Sequence, residues 1–202
     1  MAKLVNQTKF AAKIKEKRLP VFNALDIQTL FGVSPKAAMW LLFRYAKKGF
    51  VVRLKRGLYA LADNQPSELF LANKLYEPSY ISREFALSYH RVIPETVYEI
   101  TSVTPKATRK FNKLGKVFSY RKIRKSAFAG YEVARESNIS FRIADAEKAF
   151  VDSNYFRLRD GLKPISRYDK ERVNPAKALR YAALFNNEKL MGIIKTTLAT
   201  LK

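Results

Sequence analysis

A group of basic and aromatic residues between positions 36 and 47 is the part of this sequence best suited to binding a ligand. The group comprises Lys36, Trp40, Phe43, Arg44 and Lys47. Lysine and arginine bind phosphates and the acceptor atoms of bases, and large apolar side chains add contacts to base edges. The spacing places these residues on one side of a helix if the apolar residues between them form the buried side. Those apolar residues are Ala38, Leu41, Leu42 and Tyr45. We therefore predict that the basic side of this helix binds DNA.

Three more basic residues, Arg53, Lys55 and Arg56, follow shortly after this helix. Lys55 and Arg56 begin the tripeptide Lys55-Arg56-Gly57, and Arg53 lies two positions before it. The tripeptide separates two strand-like runs, 50–54 and 58–61. The pattern predicts a β-hairpin with a basic tip. Such a tip would contact the DNA backbone or the minor groove beside the helix.

The residues before the helix supply the signals that position it. Gly32 can end one helix and reverse the chain without steric cost. Ser34 is a good N-cap and Pro35 a good first-turn residue for the next helix. Apolar residues at helical spacing before the turn (Leu25, Ile27, Leu30 and Phe31) predict the preceding helix. Together these signals predict a helix-turn-helix followed by a wing. In that motif the second helix enters the major groove, and its N-terminal residues, which here include Ser34, lie nearest the bases. The alternative is a winged helix used only for protein contacts, with a solvated basic side.

A second basic segment, residues 106–125, contains nine lysines and arginines and no acid. Four of them are candidate DNA-binding residues: Lys106, Arg109, Lys110 and Lys113. Runs of this kind are commonly solvated surfaces, and that alternative stays open. The interleaved aromatic residues Phe111, Phe118 and Tyr120 either stack on unpaired bases or belong to the core.

Few residues or motifs in this sequence indicate catalysis. The chain has no cysteine and one histidine, His90, so it lacks the ligands of a zinc site. Asp145, Glu147 and Asp152 offer oxygen ligands for Mg²⁺, but Asp145 suits a helix N-cap, and the other two differ in helical phase. Neither a glycine-rich phosphate loop nor a nucleophile elbow is present. We expect no enzymatic activity, catalytic residue, cofactor or metal. The alternative is a Mg²⁺-dependent nuclease with a winged-helix targeting domain.

Charge favours a polyanionic partner. The 202 residues carry a formal net charge of +22. Residues 1–62 hold 13 lysines and arginines against two acids, which is half of the excess in less than a third of the chain. No apolar stretch reaches the roughly 18 residues of a membrane span, and there is no signal-peptide pattern. We expect a cytoplasmic protein with no membrane partner, in keeping with the lack of cysteine.

The periodicity predicts an α+β protein with two domains. Residues 1–62 form the winged helix-turn-helix domain, and residues 63–202 form a C-terminal α+β domain with a small, mostly antiparallel sheet and flanking helices. The polar segment 63–66 is the predicted linker. In the first domain a further helix is expected over 3–18. In the second, strands are expected over 96–104, 116–123, 128–133 and 139–143, and helices over 67–76, 82–90, after Asp145, after Asn174 and after Asn187.

Several stretches together resemble the AbiEi antitoxin family of type IV toxin–antitoxin and abortive-infection systems. They are SPKAAMWLLFRYAKKGFVVRLKRGLYAL (34–61), YISREFALSYHRVIPETVYEITSVTP (80–105), KVFSYRKI (116–123) and RIADAEKAFVDSNYF (142–156). The likeness covers most of residues 20–160, whereas residues 157–202 do not match residue by residue.

The resemblance implies a transcriptional repressor that binds inverted repeats in its own promoter and acts as an antitoxin. Its implied partner is a nucleotidyltransferase-like toxin, and it implies no catalytic residues. A module that holds the toxin by direct contact is the remaining alternative.

Overall fold

The computed structural model describes residues 5–136 and 139–199, so the predicted start of the first helix, at Lys3, lies outside the described residues. The chain is a mixed α and β protein. It divides into two compact units, the first ending at Ser67 and the second beginning at Glu68.

From residue 5 onward, the first unit contains three helices and then a two-stranded antiparallel sheet. Its elements are α1 (Gln7–Glu16), α2 (Ala24–Phe31), α3 (Pro35–Lys47), β1 (Val51–Lys55) and β2 (Leu58–Leu61).

Local capping signals determine where α2 and α3 begin and end. Asn23 and Asp26 form a capping box, in which the Asp26 carboxylate accepts a hydrogen bond from the Asn23 N–H at 2.7 Å. Gly32 adopts a left-handed conformation, with φ of +61°, and ends α2. The Ser34 hydroxyl oxygen accepts a hydrogen bond from the Ala37 N–H at 3.3 Å, and Pro35 opens α3. The predicted turn and the predicted cap are confirmed.

The hairpin is one residue tighter than predicted. Lys55 lies opposite Leu58, so the turn consists of Arg56 and Gly57, whose φ is +77°. The strand register shifts between Arg53 and Lys55, which marks an irregularity in β1 just before the turn.

Phe10 of α1 is the centre of the first unit's core. Its ring is fully buried and stacks on Phe31 at 5.4 Å between centroids. It also makes edge contacts with Phe22, Tyr45 and Phe50. The first helix is therefore docked on the core through Phe10 and Ile14.

The second unit contains six strands and five α-helices among the described residues. They are α4 (Glu68–Leu75), β3 (Tyr80–Ile81), α5 (Arg83–Tyr89), β4 (Ile100–Thr104), β5 (Arg109–Lys113), β6 (Lys116–Lys122), β7 (Tyr131–Glu136), β8 (Ile139–Ala144), α6 (Ala146–Arg159), α7 (Pro175–Ala183) and α8 (Glu188–Ala199).

The strands form one mixed sheet in the order β5-β6-β4-β3-β8-β7. Three of the five pairings are antiparallel, while β4 pairs with β6 and β3 pairs with β8 in parallel. The predicted small sheet is thus larger than expected and less uniformly antiparallel. One of its strands, β3, has only two residues. The sequence does not predict strand β5, because four of its five side chains are basic or polar, as suits a strand at the edge of the sheet.

Helix α6 is buried on every side for most of its length, including its polar residues. Lys148 and Asp152 are both 0% exposed and form an ion pair one helical turn apart. The Asp152 carboxylate also accepts hydrogen bonds from the Ser82 hydroxyl at 2.7 Å and the Tyr80 hydroxyl at 3.1 Å. Burial lowers the pKa of Lys148 and raises the pKa of Asp152, while their mutual attraction opposes both shifts.

The loop before β7 approaches α6 and α7 closely at Gly130. A Cβ atom there would lie 2.7 Å from Cε1 of Tyr181 and 2.9 Å from Cγ of Lys148. The residue also has a φ of +74°. Both facts favour glycine at this position.

Two large apolar side chains on the helices are exposed. Leu25, in the first turn of α2, is 66% exposed, whereas Ile27 is buried. On α5, Tyr89 is partly exposed, whereas Ala86 and Leu87 are buried. In the described residues, no helix is long and apolar enough to cross a membrane.

Candidate nucleic-acid interface

Helix α3 has one buried and one exposed side, as the sequence predicts. The buried residues are Ala38, Leu41, Leu42 and Tyr45. The exposed residues include Lys36, Trp40, Phe43, Arg44 and Lys47. Trp40 does not pack in the core, because this residue is 62% exposed.

The capping of α3 positions the first of these side chains. Ser34 holds the first turn through its hydroxyl, and Pro35 fixes the backbone just before Lys36. The first turn carries no acidic residue, so the partial positive charge of the helix N-terminus adds to that of Lys36. This end of the helix attracts anions.

The aromatic residues on the exposed side contact each other. The rings of Trp40 and Phe43 lie 5.8 Å apart with an interplanar angle of 90°. Together with Lys36 and Met39 they line an open cleft of about 360 Å³. Met39 is 64% exposed and was missed in the sequence, although its position three residues after Lys36 and four before Phe43 indicates the same side of the helix.

The basic residues near the end of α3 differ in their contacts. The Arg44 side chain is exposed, and its guanidinium lies 5.6 Å from the centroid of the Tyr45 ring. Among residues 5–136 and 139–199, neither Lys36 nor Lys47 forms an ion pair with a carboxylate. Their charges are therefore available to an anionic partner.

The predicted hairpin residues lie at the tip of β1 and β2. Arg53 and Arg56 are exposed, whereas Lys55 is half-buried. In the described part of the chain, the two arginines have no carboxylate partner. The tip is thus positively charged.

The second basic segment belongs to the second unit, where two of its four candidate residues contact other residues. Lys106 donates to the Glu77 carbonyl oxygen at 2.6 Å, and Lys110 lies 3.5 Å from the Glu99 carboxylate. Arg109 and Lys113 are on the edge strand β5. The possibility that aromatic residues here stack on unpaired bases is wrong for Phe118 and Tyr120, which are buried in the core.

The three carboxylates considered for Mg²⁺ all form hydrogen bonds or ion pairs with other groups of the protein. Asp145 caps α6 by accepting a hydrogen bond from the Lys148 N–H at 2.8 Å. Glu147 accepts a hydrogen bond from the Asn174 N–H at 3.1 Å and pairs with Lys177 at 2.9 Å. Asp152 is buried in the ion pair described above. Within the described ranges, no group of three or more acidic or histidine side chains is placed to hold a metal ion.

His90 has a structural role. Its Nε2 lies 2.7 Å from the carbonyl oxygen of Ala144 and donates a hydrogen bond to it, which ties the end of α5 to the end of β8.

No model of a known protein family and no curated protein matches this chain.

Proposed function

We propose that the first unit is a winged helix-turn-helix and that the chain is a transcriptional repressor binding specific sequences in duplex promoter DNA. The exposed side of α3 carries this proposal, because it combines Lys36, Arg44 and Lys47 with two aromatic residues and has no carboxylate partner among the residues described. Recognition helices have this composition where they meet phosphates and base edges. The basic hairpin tip supplies the contact expected of a wing.

The antitoxin part of the proposal rests on the likeness of residues 20–160 to AbiEi antitoxins. On this view the chain represses its own operon in the cytoplasm through inverted repeats and counters a nucleotidyltransferase-like toxin, without catalysis of its own. The engaged carboxylates at positions 145, 147 and 152 make the Mg²⁺-dependent nuclease the weaker alternative.

The first prediction separates contacts to bases from contacts to the backbone. Lys36→Ala and Arg44→Ala should each weaken binding to the DNA upstream of the gene by about 5- to 150-fold, the equivalent of 1–3 kcal/mol, and should relax sequence preference. Arg56→Ala should weaken binding to all sequences alike. Fluorescence anisotropy with the upstream DNA and with a scrambled duplex measures both effects.

Salt dependence provides the second readout of the same experiment. Each lost phosphate contact should reduce the slope of log K against log salt by about 0.9, so Arg56→Ala should have a shallower slope than the unaltered chain. Lys189→Ala, an exposed lysine on α8, removes the same charge and should change neither quantity. The proposal fails if the unaltered chain shows no salt dependence, or if Lys36→Ala and Arg44→Ala bind as the control does.

A further inference from the structure

The exposed side of α3 contains more apolar surface than phosphate binding requires. Met39, Trp40 and Phe43 are 64%, 62% and 59% exposed, and none of them is part of the buried core. Their side chains and the aliphatic part of Lys36 line the open cleft of about 360 Å³. Exposed apolar side chains grouped in this way mark a binding surface.

The charges around this cleft restrict what can occupy it. Helix α3 has no acidic residue, and Lys36, Arg44 and Lys47 surround the apolar group. The occupant must therefore be anionic and must also present small apolar groups. The major groove of DNA meets both requirements wherever thymine occurs, because the thymine 5-methyl group projects into it between the phosphates.

We propose that Met39, Trp40 and Phe43 recognise thymine 5-methyl groups in the major groove, and that the operator is thymine-rich where α3 contacts it. The inference rests on the proposed DNA-binding function and extends it to the identity of the bases. Lys36, at the N-terminal end of the cleft, then contacts a base edge or phosphate beside these methyl groups. The cations set the position of the helix, and the apolar residues select the base.

The test replaces thymine by uracil, which lacks only the 5-methyl group and keeps every hydrogen-bonding atom. High-affinity duplexes are first selected with the full chain from a randomised DNA pool. The selected duplex is then synthesised with thymine and with deoxyuridine in its core. Burying one methyl-sized group contributes about 0.8 kcal/mol, so each contacted methyl should change affinity about fourfold, and two should change it on the order of tenfold.

Variants of the cleft connect the effect to the named residues. Met39→Ala and Phe43→Ala should bring the ratio of thymine to uracil affinity close to one, and because both side chains are exposed, the fold should be retained. Lys47→Ala is the matched control: it should weaken binding to both duplexes equally and leave the ratio unchanged.

Other outcomes overturn the inference in distinguishable ways. Equal affinity for the two duplexes, with selection otherwise successful, rejects methyl recognition and leaves the DNA-binding proposal standing. Failure to enrich any duplex rejects both. If the DNA-free chain is a dimer in sedimentation velocity and Phe43→Ala makes it a monomer, the cleft is a contact between two copies of the chain, and methyl recognition is again rejected.

Discussion

Replacing Lys148 by methionine is expected to lower the free energy of unfolding of the second unit by about 3–5 kcal/mol, because it leaves a buried charge without its partner. The Asp152 carboxylate would keep its hydrogen bonds from Ser82 and Tyr80 but lose the only cation paired with it in the described residues. Burial already raises the pKa of Asp152, and removing Lys148 raises it further.

The stability that the Lys148→Met variant loses should depend on pH. A carboxyl group whose pKa is higher in the folded state stabilises the fold below its unfolded pKa, near 4, and loses that contribution as pH rises. The deficit of the Lys148→Met variant relative to the unaltered chain should therefore be larger at pH 8 than at pH 5. Urea unfolding followed by circular dichroism at the two pH values measures it.

The double variant Lys148→Met with Asp152→Asn provides the control. It removes both charges and keeps an amide oxygen that can accept the hydrogen bonds of Ser82 and Tyr80. Its loss of stability should be smaller than that of Lys148→Met alone. Amide hydrogen exchange measured on separate peptides should show the change in α6 and β3, with α2 and α3 unaffected. The single variant Asp152→Asn is measured as well. If the stability lost by the double variant equals the sum of the losses of the two single variants, the unpaired charge is not the dominant cause.

Replacing Phe10 by alanine should destabilise the first unit by about 3–5 kcal/mol, the usual range for truncating a fully buried phenylalanine. The ring contacts four other aromatic rings, so the cavity would lie where α1, α2 and α3 meet the hairpin. Because this loss of unfolding free energy is large for a unit of this size, DNA binding should decline together with helix content. Peptide-resolved hydrogen exchange and anisotropy, on the same preparations, record the two effects.

Phe43→Ala is the matched comparison, because it removes the same atoms from an exposed position in the same unit. Its stability should stay within about 0.5 kcal/mol of the unaltered chain, as is usual for surface changes. Its DNA affinity should nonetheless fall, since Phe43 lies in the cleft. Equal stability of the two variants would show that Phe10 is not the centre of this core.

The first unit could be predicted closely because its determinants are local. Gly32, Ser34 and Pro35 specify one turn within four residues, and each acts through its own backbone or side chain. The helical period then identified the buried side of α3 without error. Met39 was not among the residues predicted on the exposed side, although its spacing from Lys36 and Phe43 places it there.

The second unit was harder because its sheet depends on contacts distant in sequence. Strand β3 has two residues, and its neighbours β4 and β8 lie about 20 and 60 residues further along the chain. No local pattern encodes that order. Likewise, nothing in the sequence pattern of α6 indicates that Lys148 and Asp152 form an ion pair inside the unit.

Two glycines of this chain should differ in the substitutions that they tolerate. Gly130 and Gly161 both have left-handed backbones, but a side chain at 161 would meet only open space, whereas at 130 it would collide with Tyr181 and Lys148. Asparagine and aspartate tolerate left-handed backbones. A saturation library selected for folded protein and sequenced should therefore return glycine alone at position 130, and glycine, asparagine and aspartate at position 161.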